Sequence, residues 1–153
     1  LDEAVFKGLT GAGLKFPAPG TGILFTVRDT DKPELLPIAE GFAALGYDLY
    51  ATGGTAHYLN RQGIATNAVR KLRDPSPNMM DLVESGKIKM IVNTPTKGRD
   101  SERDGFRIRR KAVERSIPCL TSLDTVGAVV RSLKMGKMIG SLDIVNLEVF
   151  DRD

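Results

Sequence analysis

The sequence predicts a doubly wound α/β domain, built on a mainly parallel sheet of about five strands with helices on both faces. Two observations predict this fold. From residue 23 onward, short apolar runs typical of buried strands alternate with longer amphipathic runs typical of helices. The chain has 153 residues, of which 41% are hydrophobic and 27% charged, and this composition suits one globular core. Because strands joined by helices connect through right-handed crossovers, we expect the strands to run parallel.

Residues 1–22 differ from the rest of the chain. Their spacing predicts one short helix within 1–14, after which glycines and prolines interrupt any regular structure. We therefore predict a linker with a short helix over 1–22 and one domain over 23–153. Since the chain begins at Leu1 rather than Met, we also expect it to be a segment of a longer polypeptide.

The first unit of the domain is a predicted strand over 23–27 followed by a helix over 31–45. Asp31 and Glu34 stand three residues apart, which is the spacing of a capping box at the helix start. Pro37 lies inside the helical run, and its missing N–H predicts a kink or a late start.

The same unit then recurs along the chain. The remaining strands are predicted over 47–51, 65–69, 88–92 and 117–120, with a closing edge strand over 144–150. The remaining helices are predicted after Thr55, over 79–85, in a basic segment ending near Ser116, and over 122–133.

The composition excludes several classes of protein. A single cysteine, Cys119, cannot form an internal disulfide, and with one histidine it cannot complete a zinc site, so no metal is expected. The longest apolar runs are far shorter than the roughly 20 residues of a membrane-spanning helix, and the start of the chain lacks a signal-peptide pattern. We expect a soluble, cytoplasmic protein that does not bind membranes.

A candidate ligand site lies at the carboxyl ends of the predicted strands, where open parallel sheets bind their ligands. These ends carry hydroxyls, an amide, two glycines and two lysines: Thr26, Lys32, Thr52, Gly53, Gly54, Thr55, Lys71, Asn93 and Thr94. Glycine N–H groups, a helix N-terminus and lysines suit a phosphate. Taken alone, residues 52–55 are more typical of a tight turn with an N-cap threonine, but the convergence of four strand ends favours an anion site.

The basic segment 99–111 is the second signal. At helical spacing its cations fall together on one face: Arg103, Arg107, Arg110 and Lys111. A solvated helix face is the simplest interpretation, while bordering the anion crevice or joining another subunit remains open. Nucleic-acid binding is disfavoured, because the chain has no Trp and only 6% aromatic residues.

Conventional catalytic sets are missing from the sequence. His57 has no serine or cysteine nucleophile near it, and Cys119 lies in an apolar strand where it is typical of a small core residue. Nothing in the sequence pairs the acids Asp48, Asp81 and Asp124. The residues therefore predict a phosphate-binding domain without catalytic residues.

Several motifs resemble the methylglyoxal-synthase-like superfamily. They are Thr26-Val-Arg-Asp-x-Asp-Lys32, Ala51-Thr-Gly-Gly-Thr55-Ala, Lys71, Ile91-Val-Asn-Thr94 and Asp104-Gly-Phe-Arg-Ile108. Within that superfamily, residues 23–150 resemble the C-terminal allosteric domain of the large subunit of carbamoyl-phosphate synthases. The head of the chain is also similar to the stretch that joins this domain to the second synthase half.

The resemblance implies a regulatory site for a nucleoside monophosphate, with UMP as inhibitor or IMP sharing the pocket. It implies that phosphate and ribose are held by Lys32, Thr52, Thr55, Lys71, Asn93 and Thr94, with Asp104 and Ile108 near the base. Two positions depart from the family pattern. Pro95 replaces a phosphate-contacting threonine, and Leu120 replaces an aspartate associated with ornithine activation, which argues against an ornithine response.

The resemblance also implies a parent enzyme and its partners. Those are the remaining synthase domains with their ATP and Mg²⁺ or Mn²⁺, a glutamine amidotransferase small subunit, and a homo-oligomer formed through this domain. The alternative is a free-standing phosphate lyase of the methylglyoxal-synthase type. Ser76 stands where that enzyme carries its aspartate, so the chain lacks an evident base for the lyase reaction.

Overall fold

The computed structural model describes residues 17–95 and 98–150, with side chains through residue 136. Within these ranges five strands form one sheet: β1 (Gly22–Thr26), β2 (Asp48–Thr52), β3 (Asn67–Val69), β4 (Ile88–Asn93) and β5 (Cys119–Leu120). Their order is β3-β2-β1-β4-β5, and every neighbouring pair is parallel. The predicted fold class is therefore confirmed.

Helices connect the strands as the alternating pattern predicts. Those in the described residues are α1 (Lys32–Ala44), α2 (Gly53–Arg61), α3 (Met79–Glu84), α4 (Arg99–Glu114) and α5 (Leu123–Phe150). A short 3₁₀ helix, Asp29–Asp31, precedes α1.

The core consists of two apolar clusters, one on each face of the sheet. Alternation along β1 sends Ile23 and Phe25 into the cluster shared with α1, α2 and α5, whereas Leu24 enters the cluster shared with α3 and α4. Both clusters contain fully buried side chains, so the central strand β1 is apolar on both faces. Helices thus cover both sides of the sheet.

The start of α1 differs from the prediction. Asp31 is its N-cap residue, but the side chain makes no capping hydrogen bond, because the carboxylate instead pairs with Arg28 at 2.8 Å. The predicted capping box is therefore wrong. The predicted late start is also wrong, since the helix begins at Lys32 and contains Pro37 in its interior.

The predicted edge strand over 144–150 is wrong as well. Helix α5 runs without interruption from Leu123 to Phe150. Apolar residues in that part of the sequence recur at three- and four-residue intervals, as in Met135, Met138, Ile139 and Leu142. This helical period outweighs the strand preference of the Ile and Val residues that follow.

Residues 17–21 are fixed to the domain by backbone and side-chain contacts. The Tyr47 hydroxyl donates to the Pro17 carbonyl at 2.6 Å, and the N–H of Gly20 donates to the Gly46 carbonyl at 2.9 Å. The short helix predicted within 1–14 lies outside the described residues. No helix in the described ranges is long and apolar enough to cross a membrane.

Candidate ligand-binding cleft

A cleft of about 300 Å³ opens at the carboxyl ends of β1, β2 and β4. Seven of the residues predicted for the ligand site line it: Thr26, Thr52, Gly54, Thr55, Lys71, Asn93 and Asp104. The topology explains this convergence, because parallel strands end at the same edge of the sheet and the strand order reverses beside β1.

The turn from β2 into α2 forms one wall of the cleft. Thr52 is extended, Gly53 is the first residue of the helix, and the Thr52 side chain makes no capping bond. The first N–H groups of α2 therefore lack capping by Thr52, and the positive end of the helix dipole favours an anion at this point.

Lys32 stands over this turn although it does not line the cleft wall. A Cβ atom placed on Gly54 would lie 3.3 Å from its Nζ atom, so the glycine lets the ammonium group lie close to the backbone without a tight contact. Lys32 Nζ also pairs with the Asp29 carboxylate at 2.9 Å. That hydrogen bond holds the pKa of Asp29 below its usual value, and the charge of Lys71 acts in the same direction.

The cations around the cleft differ in their partners. Arg28 pairs with Asp31, and Lys32 pairs with Asp29. Lys71 has no ion pair within the described part of the chain, and its side chain is exposed at the cleft. An entering anion can therefore pair with Lys71 without breaking an ion pair between described residues.

Arg73 is a cleft residue that the sequence reasoning missed. Its guanidinium lies 3.1 Å from Asp104 and 3.6 Å from Asp100, both on α4, so it ties the loop after β3 to that helix. The available signal was its position two residues after Lys71 in a strand-end loop. A surface arginine in such a loop is common, however, and its partners are 27 and 31 residues away in the sequence.

Asn93 presents an unused hydrogen-bond donor. Its side-chain oxygen accepts from the Thr26 hydroxyl at 2.7 Å, which fixes the orientation of the amide. The Nδ2 atom on the other side is buried and has no partner in the described part of the chain, while the residue is only 6% exposed. A buried donor without an acceptor costs about 1–3 kcal/mol, so this atom favours an acceptor supplied by a ligand.

Thr94 is placed differently from the predicted ligand contact. It is 4% exposed, its hydroxyl accepts from the N–H of Arg28 at 2.8 Å, and the same hydroxyl hydrogen-bonds the Asp31 carboxylate. Arg28 first, and Thr94 in addition, keep the pKa of Asp31 below its usual value. The Thr94 hydroxyl therefore supports the loop after β1, and its one proton is already donated and is not available to a phosphate.

Two further predicted residues lie off the cleft wall. Ile108 is 2% exposed and packs in the cluster beneath α3 and α4, so a ligand base in the cleft does not touch it in this conformation. Gly53 is exposed at the start of α2. Arg107 is also displaced, since it lines a separate groove between α3 and α4 beside Met80.

The cleft shows no free carboxylate among the described residues. Asp29 and Asp104 both line it, and each pairs with a cation. Ser76 lies outside it, and its hydroxyl donates to Asp81 at 2.6 Å, within the capping box that begins α3. Cys119 is partly buried, and burial raises the pKa of its thiol. No cluster of three or more metal-ligating side chains occurs in the described ranges.

The fold and the cleft define a class, namely doubly wound α/β domains with a basic, glycine-containing cleft at the strand ends. Residues 34–121, more than half of the chain, match the family model of the MGS-like domain. The chain belongs to the MGS-like domain family.

Its relatives include proteins named carbamoyl phosphate synthase large chain. The protein of that name from Clostridium botulinum strain Langeland is 48% identical over 130 residues, covering 85% of this chain and 12% of the relative. The one from Clostridium perfringens strain 13 is 45% identical over 145 residues, covering 95% of this chain and 14% of the relative. The chain therefore spans about one eighth of these curated relatives. The resemblance inferred from the sequence motifs is confirmed.

Solved structures support the fold at lower identity. Methylglyoxal synthase from Elizabethkingia anophelis NUHP1 has a TM-score of 0.59 at 18% identity, covering 74% of this chain and 79% of that protein. A protein described as ForH has a TM-score of 0.54 at 20% identity, covering 76% and 79% respectively. At these identities the likeness extends to the fold alone.

Proposed function

We propose that this chain is the effector-binding, non-catalytic domain of a carbamoyl-phosphate synthase large chain, and that its cleft binds a nucleoside monophosphate such as UMP or IMP. The observation that carries the proposal is the Gly53-Gly54 turn at the start of α2, where Gly54 lines the cleft together with Lys71 and lies beside Lys32. The 45–48% identity to carbamoyl phosphate synthase large chains supports the parent enzyme.

The phosphate end of the cleft rests on three kinds of donor. The first N–H groups of α2 supply the helix dipole, Thr52 and Thr55 supply hydroxyls, and Lys71 supplies a cation without an ion pair among the described residues. Helix N-termini with nearby glycines bind phosphate in many folds, because backbone donors can approach the anion closely. A dianionic phosphate therefore fits this wall better than a neutral ligand does.

The cleft leaves limited space for the ribose and base of the ligand. The cleft volume of about 300 Å³ is at the lower end of small-molecule pockets, which run from about 300 to 1,000 Å³. Asn93 and Asp104 line the part away from the glycine turn and offer a donor and an acceptor. These groups suit the hydroxyls and ring edges of a mononucleotide.

In the proposed parent enzyme, catalysis takes place in other domains. Its other synthase domains would bind ATP and Mg²⁺ or Mn²⁺, and a glutamine amidotransferase small subunit would be a further partner. An effector that binds one conformation of this domain more tightly shifts the whole enzyme by its differential affinity, typically about 1–3 kcal/mol. The domain itself then needs no catalytic group, which agrees with the paired carboxylates in the cleft.

Replacing Lys71 by Gln tests the cleft as the effector site. We expect Lys71→Gln to weaken UMP binding by about tenfold in calorimetry, since hydrogen bonds to charged groups contribute about 1.5–3 kcal/mol. Lys87→Gln is the matched control, because Lys87 is exposed just before β4, at the opposite end of the strands. It should bind UMP as the unsubstituted chain does.

Two results would contradict the proposal. One is the absence of heat from both UMP and IMP at millimolar concentration, and the other is equal loss in the Lys71 and Lys87 variants. Release of phosphate from dihydroxyacetone phosphate by the same preparation would instead support a lyase.

A further inference from the structure

A second recess adjoins the cleft where Gly105 of α4 faces Asn93. This side hollow has a volume of about 90 Å³ and shares Asn93, Ser101 and Gly105 with the cleft. A Cβ atom on Gly105 would lie 3.1 Å from Arg109 Nη1 and 3.7 Å from Asn93 Nδ2. The absence of a side chain at Gly105 therefore lets two nitrogen donors approach the same point on α4.

Neither nitrogen has an acceptor among the residues that the structure describes. Asn93 Nδ2 is buried without a partner, and Arg109, which is partly buried, pairs with no carboxylate in the described ranges. Arg73, Arg110 and Lys111, by contrast, each form an ion pair. A partly buried guanidinium beside a buried amide therefore leaves two hydrogen bonds to be made.

The chemistry of the hollow selects the type of acceptor. Glu102 lines the same hollow as Arg109, so the two formal charges offset each other and a further anion gains little. The volume corresponds to about three water molecules at roughly 30 Å³ each, which admits a projecting oxygen but not a whole nucleobase. A neutral carbonyl oxygen fits both conditions.

We propose that Arg109 and Asn93 Nδ2 bind a ring carbonyl oxygen of the ligand's base, which enters over Gly105. This inference rests on the proposed nucleotide site and makes Arg109 a specificity-determining residue there. Bases with an oxo group at this position are accepted, whereas an amino group would place a donor against two donors and leave all of them unsatisfied. The phosphate wall at residues 52–55 is unaffected.

Calorimetry with four ligands separates these contributions. UMP and IMP carry ring carbonyls, AMP has an amino group where IMP has its oxo group, and ribose 5-phosphate has no base. The unsubstituted chain should bind UMP or IMP at least about tenfold more tightly than AMP and ribose 5-phosphate.

Two variants then test the residues. Arg109→Gln removes the guanidinium, and Gly105→Ala places a methyl group beside Arg109 Nη1 and Asn93 Nδ2. Alanine is also favoured over glycine inside a helix by about 1 kcal/mol, and the tight contact of its Cβ is with the flexible end of Arg109, so Gly105→Ala should fold. Arg107→Gln is the matched control, because it removes the same charge two residues away in the separate groove.

We expect Arg109→Gln and Gly105→Ala to weaken the oxo nucleotides by about tenfold and to leave ribose 5-phosphate within about twofold. The control should change neither. Equal losses for nucleotide and ribose 5-phosphate, no loss for either, or equal affinity of the unsubstituted chain for IMP and AMP would overturn the inference alone. No binding of any of these ligands by the unsubstituted chain would overturn the proposed function and this inference with it.

Discussion

At the scale of single residues, the cleft depends on which polar groups already have partners. Thr94 and Asn93 are neighbours, and both were predicted to hold ligand. The Thr94 hydroxyl serves Arg28 and Asp31, whereas the Asn93 amide keeps one buried donor without an acceptor. Sequence position therefore grouped the two residues, but only the hydrogen-bond pattern separates the supporting residue from the one with a donor available to a ligand.

The Arg28–Asp31 pair predicts a pH-dependent contribution to stability. The folded-state pKa of Asp31 lies below its unfolded value of about 3.9, so its contribution is present above that pH and is lost as the pH falls through the folded-state pKa. We expect Asp31→Asn to be less stable than the unsubstituted chain at pH 7. The gap should close as the pH approaches 2, and urea unfolding at several pH values measures it.

Asp48→Asn is the control for this titration, because Asp48 is exposed and forms no ion pair in the described part of the chain. Its free energy of unfolding at pH 7 should stay within about 0.5 kcal/mol of the unsubstituted chain. A constant gap between the Asp31 variant and the unsubstituted chain from pH 7 to 2 would contradict the assigned role of the carboxylate.

At the scale of elements, the closest packing joins α1 to α5. Gly41 is buried on α1, and a Cβ atom there would overlap the Cγ1 methyl of Val130 on α5. Val130 is 5% exposed and belongs to the core cluster on this face of the sheet. A glycine is thus required here because the two helices approach each other closely, not because of its backbone angles.

Gly41→Ala should therefore destabilise the fold. Overpacking a core lowers the free energy of unfolding by about 1–3 kcal/mol. Replacing a helical glycine by alanine raises it by only about 1 kcal/mol, so the net change is a loss over most of that range. The double variant Gly41→Ala with Val130→Ala should show a favourable coupling in a double-mutant cycle, measured by urea unfolding.

Gly136→Ala on α5 is the matched control for this substitution. Among the described residues nothing lies within 4 Å of a Cβ atom there, so we expect the helix propensity to dominate and the variant to gain up to about 1 kcal/mol. If Gly41→Ala were stabilised by the same amount, the close approach of α1 and α5 would be refuted.

The elements also show what sequence patterns can and cannot predict. The predicted and observed strand boundaries agree to within two residues at most positions, because apolar runs and glycine stops are local signals. The start of α1 was mispredicted because Arg28 competes for Asp31, and the end of α5 because its Ile and Val residues suit strands as well as helices. The Asn78 capping box is a local signal that was overlooked.

At the scale of the whole molecule, ligand binding and folding are linked. A ligand that binds only the folded chain stabilises it by about 2.7 kcal/mol at a hundredfold excess over its Kd. We expect saturating UMP to raise the urea midpoint of the unsubstituted chain without changing the slope of the transition. Inorganic sulfate at the same ionic strength is the control, and an equal rise with sulfate would indicate a salt effect rather than a nucleotide site.

The cleft residues were predictable to the extent that topology predicts them. Strand ends meet at one edge of any parallel sheet, so Thr26, Thr52 and Asn93 could be grouped from the sequence. Arg73 and Arg109 could not, because their roles depend on side chains reaching across loops and helix turns. Ile108 is buried because it lies with Ala112 on the side of α4 that packs in the core cluster shared with α3.

Because the strand order reverses beside β1, the two sides of the cleft come from different parts of the sequence. Thr26 and Thr55 come from the half of the chain before β3, whereas Asn93 and Gly105 come from the half after it. Cutting the chain at the exposed turn around Gly86 would divide the cleft between two fragments, and neither would hold the complete cleft. A bound nucleotide would then contact both fragments and stabilise their association. Reassembly of the split domain would therefore indicate that the ligand is present.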